Sequence, residues 1–226
     1  MCGRYYIDQE EDLAEMRQIL EEVNRRFHDS LALSAMRAGE ITPSQVVPVL
    51  RPEQRQPDSR IVPDLMQWGF PQYQGSGLII NARSESALVK PMFKSAVKTG
   101  RILVPASAFF EWEHLPQANL PQARLPQARL PQARKGRKMT LSMTNEPVFY
   151  MAGLARYFQN IPGSTMDLWR FVILTTSANA SVAPIHDRMP LILPRRLLRR
   201  WLLDDQAAEE FLQQPVDMQM VLTETA

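Results

Sequence analysis

The chain has 226 residues, enough for one domain with a substantial core, and its composition (45% hydrophobic, 22% charged) is typical of a globular protein. Its formal net charge is only +2, so overall charge gives no reason to expect nucleic-acid binding. One cysteine excludes a disulfide framework and a multi-thiolate zinc site, and no apolar run approaches the roughly 20 residues of a membrane span. We expect a single cytoplasmic domain over residues 1–226, monomeric and without metal or cofactor.

The predicted elements are mixed. Apolar residues recur every three to four positions and predict a helix over residues 10–27, with a buried face of Leu13, Met16, Ile19, Leu20, Val23 and Phe27. Short apolar runs bounded by Pro and Gly predict strands at residues 46–50, 61–68, 78–80, 102–104, 168–175 and 190–193. Two more helices are predicted at 195–202 and 206–212. Many short strands without a βαβ cadence favour an α+β fold with a largely antiparallel, barrel-like sheet flanked by helices.

A repeat interrupts this pattern. The unit Leu-Pro-Gln-Ala occurs four times between residues 115 and 134, and its prolines favour extended backbone. It lies between strong strand signals at 102–112 and 138–151, so we expect an inserted, flexible hairpin loop over residues 115–136. The loop is either a neutral expansion or a basic flap that tethers DNA.

Cys2 is the first chemical candidate because of its position. Removal of Met1 would leave Cys2 with an α-amine and a thiol two carbons apart. An α-amine has a pKa of about 7.7, against about 10.4 for lysine, so far more of it is the neutral nucleophile at pH 7. The amine can condense with an aldehyde to an imine, and the thiol can then close a thiazolidine ring. Elsewhere in a chain, a lone cysteine is more often a small buried hydrophobic residue.

The segment 81–85, Asn-Ala-Arg-Ser-Glu, follows the apolar run 78–80, so its polar groups emerge at a strand end. Asn81 can both donate and accept hydrogen bonds, which suits holding a sugar hydroxyl or the amino-terminal residue. Arg83 offers a planar fork for phosphate. Alternatively, the segment only caps a following helix.

Glu111 lies within an aromatic run, and strand alternation places Phe110 and Trp112 on the opposite face from it. A carboxylate among aromatic rings is expected to have a raised pKa, as an acid–base group for imine formation needs. The alternative is a solvated strand face or an ion pair with a neighbouring basic residue.

His186 lies in segment 184–190, next to Asp187 and Arg188. It titrates near neutrality and can therefore move a proton, although a lone histidine is more often structural. The three histidines of the chain are scattered, without the short spacing of metal ligands.

Taken together, six motifs in this order resemble the SRAP (SOS response-associated peptidase) family along nearly the whole chain. They are Met-Cys-Gly-Arg at 1–4, Trp-Gly-Phe at 68–70, Asn-Ala-Arg-Ser-Glu at 81–85, Pro-Ala through Phe-Glu-Trp at 105–112, Thr-Thr-Ser-Ala-Asn at 175–179 and Ile-His-Asp-Arg-Met-Pro at 185–190. The resemblance implies a barrel-like α+β fold. It also implies a sensor that traps abasic sites of single-stranded DNA as a thiazolidine crosslink, associated with the nucleoid when bound to damaged DNA.

The resemblance also implies roles for single residues. Cys2 would be the nucleophile and crosslinking residue, Asn81 would position the reacting groups, and Glu111 would be the acid–base catalyst. His186 would help to open the sugar ring and assist slow reversal of the link. The implied DNA contacts are phosphate binding by Arg4, Arg83 and Arg188 and base stacking or wedging by Trp68 and Trp112.

Two alternatives remain open at this point. The family name records a peptidase activity, which Cys2, Glu111 and His186 could support in self-processing. A non-covalent single-stranded DNA-binding module would instead need only the arginines and tryptophans. One segment, 39–45, is an imperfect match to the family's Asn/Ala-Pro-Thr-Gln pattern.

Overall fold

The computed structural model describes residues 2–8, 14–73, 75, 77–113, 136–159 and 168–225. The strands in these ranges are β1 (Arg4–Ile7), β2 (Gly39–Ile41), β3 (Val46–Pro52), β4 (Ile61–Trp68), β5 (Phe70–Pro71), β6 (Leu78–Ile79), β7 (Asn81–Arg83), β8 (Arg101–Ala106), β9 (Ala108–Trp112), β10 (Lys138–Ser142), β11 (Phe149–Phe158), β12 (Leu168–Ser177), β13 (Arg188–Pro190), β14 (Ile192–Leu193) and β15 (Val221–Glu224). The helices are α1 (Ala14–Arg26), α2 (Leu31–Ala35), α3 (Ser84–Ala87), α4 (Pro91–Thr99), α5 (Leu198–Leu203) and α6 (Asp205–Gln213), with a 3₁₀ turn at Arg195–Leu197.

The larger sheet is partly a ring. Its strand order is β13-β12-β4-β3-β8-β11-β14, and an additional pairing between β11 and β12 closes five of the strands on one another. Most neighbours are antiparallel, but β12 runs parallel to both β4 and β7. The predicted α+β fold with a barrel-like, largely antiparallel sheet is therefore confirmed.

A smaller antiparallel sheet has the order β15-β10-β9-β1-β2. It packs against the larger sheet where Tyr5 contacts Trp68 and Phe109 contacts Phe149. Tyr5 lies opposite both Phe109 and Ile41, and all three side chains are fully buried. We call this buried side the inner face of the small sheet. The neighbouring residues along each strand, such as Arg4, point to the outer face, because strand side chains alternate.

The predicted strand signal at 102–112 is divided between the two sheets. β8 belongs to the larger sheet and β9 to the smaller one, and Ser107 lies between them. The Ser107 backbone N–H donates to the carbonyl of Tyr6 at 2.9 Å, which fixes the change of direction. Glu111 therefore lies on a strand that the ring and the small sheet jointly position.

The predicted helices are found close to their expected bounds. In α1 the apolar face buries Met16, Ile19 and Val23, and α6 begins where the Asp204 carboxylate accepts from the Ala207 N–H at 3.0 Å. Sequence periodicity missed α4, whose first residue is Pro91, a residue well suited to a helix start. Every helix within the described ranges falls short of the length and apolarity needed to cross a membrane.

The arms of the predicted hairpin around the repeat do pair. Lys138 at the start of β10 lies opposite Trp112 at the end of β9. The repeat itself, with residues 114–135, lies outside the described residues.

Candidate functional site

Cys2 is fully buried just before β1, and its thiol donates to the carbonyl of Arg4 at 3.6 Å. Burial raises the pKa of the Cys2 thiol well above its usual value, and the nearby carboxylate of Glu111 adds to this shift. The thiol is therefore protonated at neutral pH, and any reaction that needs the thiolate requires a base beside it.

Asn81 connects the larger sheet to Cys2. It lies in β7, opposite Ile173 of β12, and its side-chain amide donates to the Cys2 carbonyl at 2.9 Å. Its Oδ1 atom is buried and accepts no hydrogen bond from the described part of the chain. An acceptor in this position suits a donor such as an amine or a sugar hydroxyl.

Glu111 lies on the inner face of the small sheet with 3% of its surface exposed. Burial raises its pKa to about 7, and the carboxylate of Asp187 acts in the same direction. The register that pairs Arg4 with Phe110 places Glu111 beside Gly3, next to Cys2. The predicted raised pKa is confirmed, and the alternative of a solvated strand face is excluded by the burial.

His186 is also buried, with 9% of its surface exposed. Its Nδ1 atom lies 2.9 Å from the backbone N–H of Arg188 and 2.9 Å from Oδ1 of Asp187. Both contacts cannot be hydrogen bonds at once, because Nδ1 accepts from Arg188 only when it carries no proton. The neutral ring, protonated at Nε2, satisfies the first contact and the cationic ring the second, so this histidine has a partner in either state.

Tyr5 is a residue of the site that sequence reasoning missed. Its ring is fully buried against Trp68, with centroids 5.3 Å apart, and its hydroxyl has no hydrogen-bond partner among the described residues. Burial and the nearby Cys2 sulfur raise the pKa of this phenol, so it stays a neutral donor. The alternation of β1, which turns Tyr5 inward beside Cys2, was the signal in the sequence.

Three of the predicted DNA-binding residues lie at the surface. Arg83 is exposed at the end of β7, and the side chain of Arg4 is 43% exposed. The Arg4 guanidinium lies 5.6 Å from the ring centre of Trp112, which is partly exposed on the outer face.

Trp68 requires a correction. It is fully buried, stacks on Phe171 with centroids 6.4 Å apart, and donates through Nε1 to the carbonyl of Ile80 at 2.9 Å. No face of this ring is open to a nucleobase, so the expected stacking on DNA does not hold for Trp68. Its apolar neighbours make it a core residue.

Arg188 requires a correction as well. It is buried, and its guanidinium donates to both carboxylate oxygens of Glu85, at 2.6 and 3.0 Å, and to the carbonyl of Thr175 at 2.7 Å. These contacts leave it poorly placed to bind phosphate. Instead, Arg188 joins segment 81–85 to segment 184–190 and thereby positions His186.

The fold and site place the chain in a known class. The profile of the SOS response associated peptidase (SRAP) family matches residues 1–225, and the chain belongs to that family.

Several named relatives are similar to it. The chain is 29% identical to abasic site processing protein YoaM of Bacillus subtilis (strain 168) over 135 residues, which are 60% of this chain and 52% of that protein. It is 30% identical to YoqW of Bacillus phage SPbeta over 62% of this chain and 55% of that protein. For YedK of Escherichia coli (strain K12) the identity is 28%, over 68% of this chain and 60% of that protein. These matches span only a little more than half the length of the relatives.

Solved structures share the fold over the full chain. A protein from Bacteroides thetaiotaomicron superposes with a TM-score of 0.68 at 18% identity, covering 100% of this chain and 92% of that one. A phage-related protein from Bordetella bronchiseptica gives a TM-score of 0.66 at 22% identity, covering 99% of this chain and 94% of that one.

Proposed function

We propose that this chain traps abasic sites of single-stranded DNA as a covalent thiazolidine through Cys2, once Met1 has been removed. The observation that carries the proposal is the arrangement around Cys2, whose carbonyl is held by Asn81 at 2.9 Å while a buried Glu111 lies beside it. The names of the relatives, abasic site processing proteins, support a DNA lesion as the substrate.

The reaction balances without any further reagent. The Cys2 amine adds to the aldehyde of the ring-opened sugar, and loss of one water gives an imine, which is the lyase-like part of the chemistry. The thiol then adds to the imine carbon, forming the C–S bond, and its proton ends on the nitrogen. The product has the mass of protein plus DNA minus one water.

Glu111 suits both proton transfers of this sequence. With a pKa of about 7 it is present as acid and as carboxylate in similar amounts near neutrality. The acid protonates the departing hydroxyl during imine formation. The carboxylate then accepts the proton of the Cys2 thiol, which burial keeps protonated until a base is available.

His186 would act on the closed sugar. In its cationic form Nδ1 donates to Asp187 at 2.9 Å, and the proton on Nε2 can pass to the sugar ring oxygen. The bond between C1 and the ring oxygen then breaks, the C1 hydroxyl loses its proton to water, and the aldehyde forms. The reverse transfer would assist slow release of the link.

Three side chains at the surface suit contact with a single strand of DNA. Arg4 and Arg83 supply charge for the backbone, and Trp112 supplies a partly exposed aromatic ring on which a base can stack. Trp68 and Arg188 are left out of this set because both are buried.

A thiol peptidase acting on itself or on other chains is the second candidate, since the same Cys2, Glu111 and His186 could serve it. The raised pKa of the Cys2 thiol favours the imine route, in which the amine attacks first, over a peptidase that starts from a thiolate.

Intact-protein mass spectrometry tests the proposal. The protein is mixed, without reductant, with a single-stranded oligonucleotide carrying one abasic site, and with a matched oligonucleotide carrying a tetrahydrofuran analogue that has no aldehyde. We expect a protein lacking Met1 and an adduct, minus one water, with the abasic oligonucleotide alone. Cys2→Ala should abolish the adduct while affinity for undamaged single-stranded DNA stays within about twofold of the original.

Other outcomes separate the candidates. If Met1 is removed and no adduct forms, the trapping proposal is wrong. Turnover of a peptide substrate by that protein would then favour the peptidase. DNA binding that is equal in the Cys2→Ala variant, without any adduct, would favour a simple binding module.

A further inference from the structure

Two cations meet at one carboxylate on the outer face of the small sheet. Nζ of Lys138 donates to Oε2 of Glu40 at 2.8 Å, and Nη1 of Arg4 donates to Oε1 of the same group. The three side chains are only partly exposed, at 25%, 43% and 34% for Lys138, Arg4 and Glu40. They come from β10, β1 and β2 of the small sheet, in which β9 lies between β10 and β1.

Both cations also contact aromatic rings of the small sheet through cation–π interactions. Nζ of Lys138 lies 4.0 Å from the ring centre of Phe110, and the guanidinium of Arg4 lies 5.6 Å from that of Trp112. Arg4 pairs across the strands with Phe110, and Lys138 with Trp112, so each cation reaches the ring diagonal to it. The two charges are therefore positioned by the sheet and not by Glu40 alone.

The geometry around Glu40 is that of a bound anion. A carboxylate presents two oxygens with one shared charge, as the two non-bridging oxygens of a phosphodiester do, and each oxygen here meets a different cation. The hydrogen bond from Lys138, and to a lesser extent that from Arg4, lowers the pKa of Glu40, so this carboxylate stays charged. Both cations also carry further N–H donors, since an ammonium has three and a guanidinium five.

We propose that Arg4 and Lys138 form a two-cation site for one phosphate of the DNA backbone, and that Glu40 is an internal competitor which the phosphate displaces. The identity of the ligand rests on the proposed function. No sequence motif indicated Lys138, and Glu40 lies in segment 39–45, where the chain departs from the family pattern. Glu40 thus makes the affinity of this surface for DNA lower than the two cations alone would give.

The proposal predicts a particular dependence on salt. Binding to a single strand weakens by about 0.7 log units per log unit of salt for each phosphate that is neutralised. With Glu40 in place, one of the two positive charges is already neutralised, and fewer counterions are released. Without Glu40, the slope of log Kd against log salt concentration should increase by about 0.7. Between 50 and 200 mM salt this slope adds a rise of about 2.6-fold in Kd.

The experiment measures Kd by fluorescence anisotropy on the full chain, with an undamaged single-stranded oligonucleotide, over a series of salt concentrations. Glu40→Gln should bind about fivefold more tightly at low salt, with the steeper dependence. Lys138→Met should bind more weakly, with a dependence shallower by about 0.7. In the double variant the gain from Glu40→Gln should shrink, because one of the two cations is missing.

Glu224→Gln is the matched control. It removes the same charge from the same sheet, but Glu224 pairs with Arg137 at 3.3 Å and not with Arg4 or Lys138. The proposal is overturned if Glu40→Gln and Glu224→Gln behave alike. If that happens while the unmodified protein still forms the adduct with abasic DNA, the proposed function stands. If the unmodified protein neither binds single-stranded DNA nor forms the adduct, both proposals fail.

Discussion

The two faces of the small sheet have opposite effects on the pKa of a glutamate carboxylate. On the inner face, burial raises the pKa of Glu111 to about 7. On the outer face, hydrogen bonds from Lys138 and Arg4 lower the pKa of Glu40. The pKa of a carboxylate is thus raised or lowered according to which side of a strand it lies on, because one side removes water and the other supplies cations.

The largest effect is expected from replacing a tryptophan, and it should differ between buried Trp68 and partly exposed Trp112. Trp68→Ala should lower the free energy of unfolding by about 3–5 kcal/mol, because it empties a fully buried site between Tyr5 and Phe171. Trp112→Ala should leave stability nearly unchanged and weaken single-stranded DNA binding by about 1–3 kcal/mol. Urea denaturation and anisotropy measure the two quantities. An equally large loss of stability in Trp112→Ala would remove the distinction.

Next in size is the effect of Glu111 on rate. Glu111→Gln should slow adduct formation by about 10²–10³-fold, since a positioned acid–base group contributes on that order. In the unmodified protein the rate should change around pH 7, following the pKa of about 7, and this feature should vanish in the variant. Single-turnover gel assays at saturating DNA give these rates. Glu40→Gln is the control, and a similar slowing there would contradict the assignment.

The two carboxylates should also have opposite effects on stability with pH. Because the fold raises the pKa of Glu111 from 4.5 to about 7, its contribution is fully present below pH 4.5 and is lost as pH rises through 7. The loss is on the order of 3 kcal/mol at most. The fold lowers the pKa of Glu40, so its contribution is present above 4.5 and is lost as pH falls through the lower value.

Thermal melting between about pH 2.5 and about pH 8 tests the two signs, because the contribution of Glu40 is lost only below 4.5. Relative to the unmodified protein, Glu111→Gln should gain stability as pH rises, and Glu40→Gln should gain it as pH falls. Equal slopes for both variants would show that the two faces do not differ in this way.

The smallest effect is expected two residues from Glu111. Glu113 is paired with Arg137 in solvent, with Nε of Arg137 donating to its carboxylate at 2.9 Å. Such exposed pairs contribute little, so Glu113→Gln should keep its melting temperature within about 2 °C and its adduct yield unchanged. A loss of adduct in this variant would indicate that charge along the strand matters more than burial.

Local periodicity was enough to predict several elements of the chain. The strand at 61–68 and the buried face of α1 follow from side-chain spacing, which is a property of neighbouring residues. The proposal for Cys2 has a similar basis, since an α-amine beside a thiol, once Met1 is removed, depends only on chain order. The motif order then indicated the family.

Only the tertiary structure decided which side chains of those motifs are available. The sequence treats Trp68 and Trp112 alike, yet one lies in the core and the other on the outer face. Likewise, Arg188 forms an ion pair with Glu85, which is 103 residues away in the sequence. Lys138 forms one with Glu40, which is 98 residues away. Burial and ion pairing depend on strand register and on the change of sheet at Ser107. These contacts join residues distant in sequence, so no local pattern specifies them.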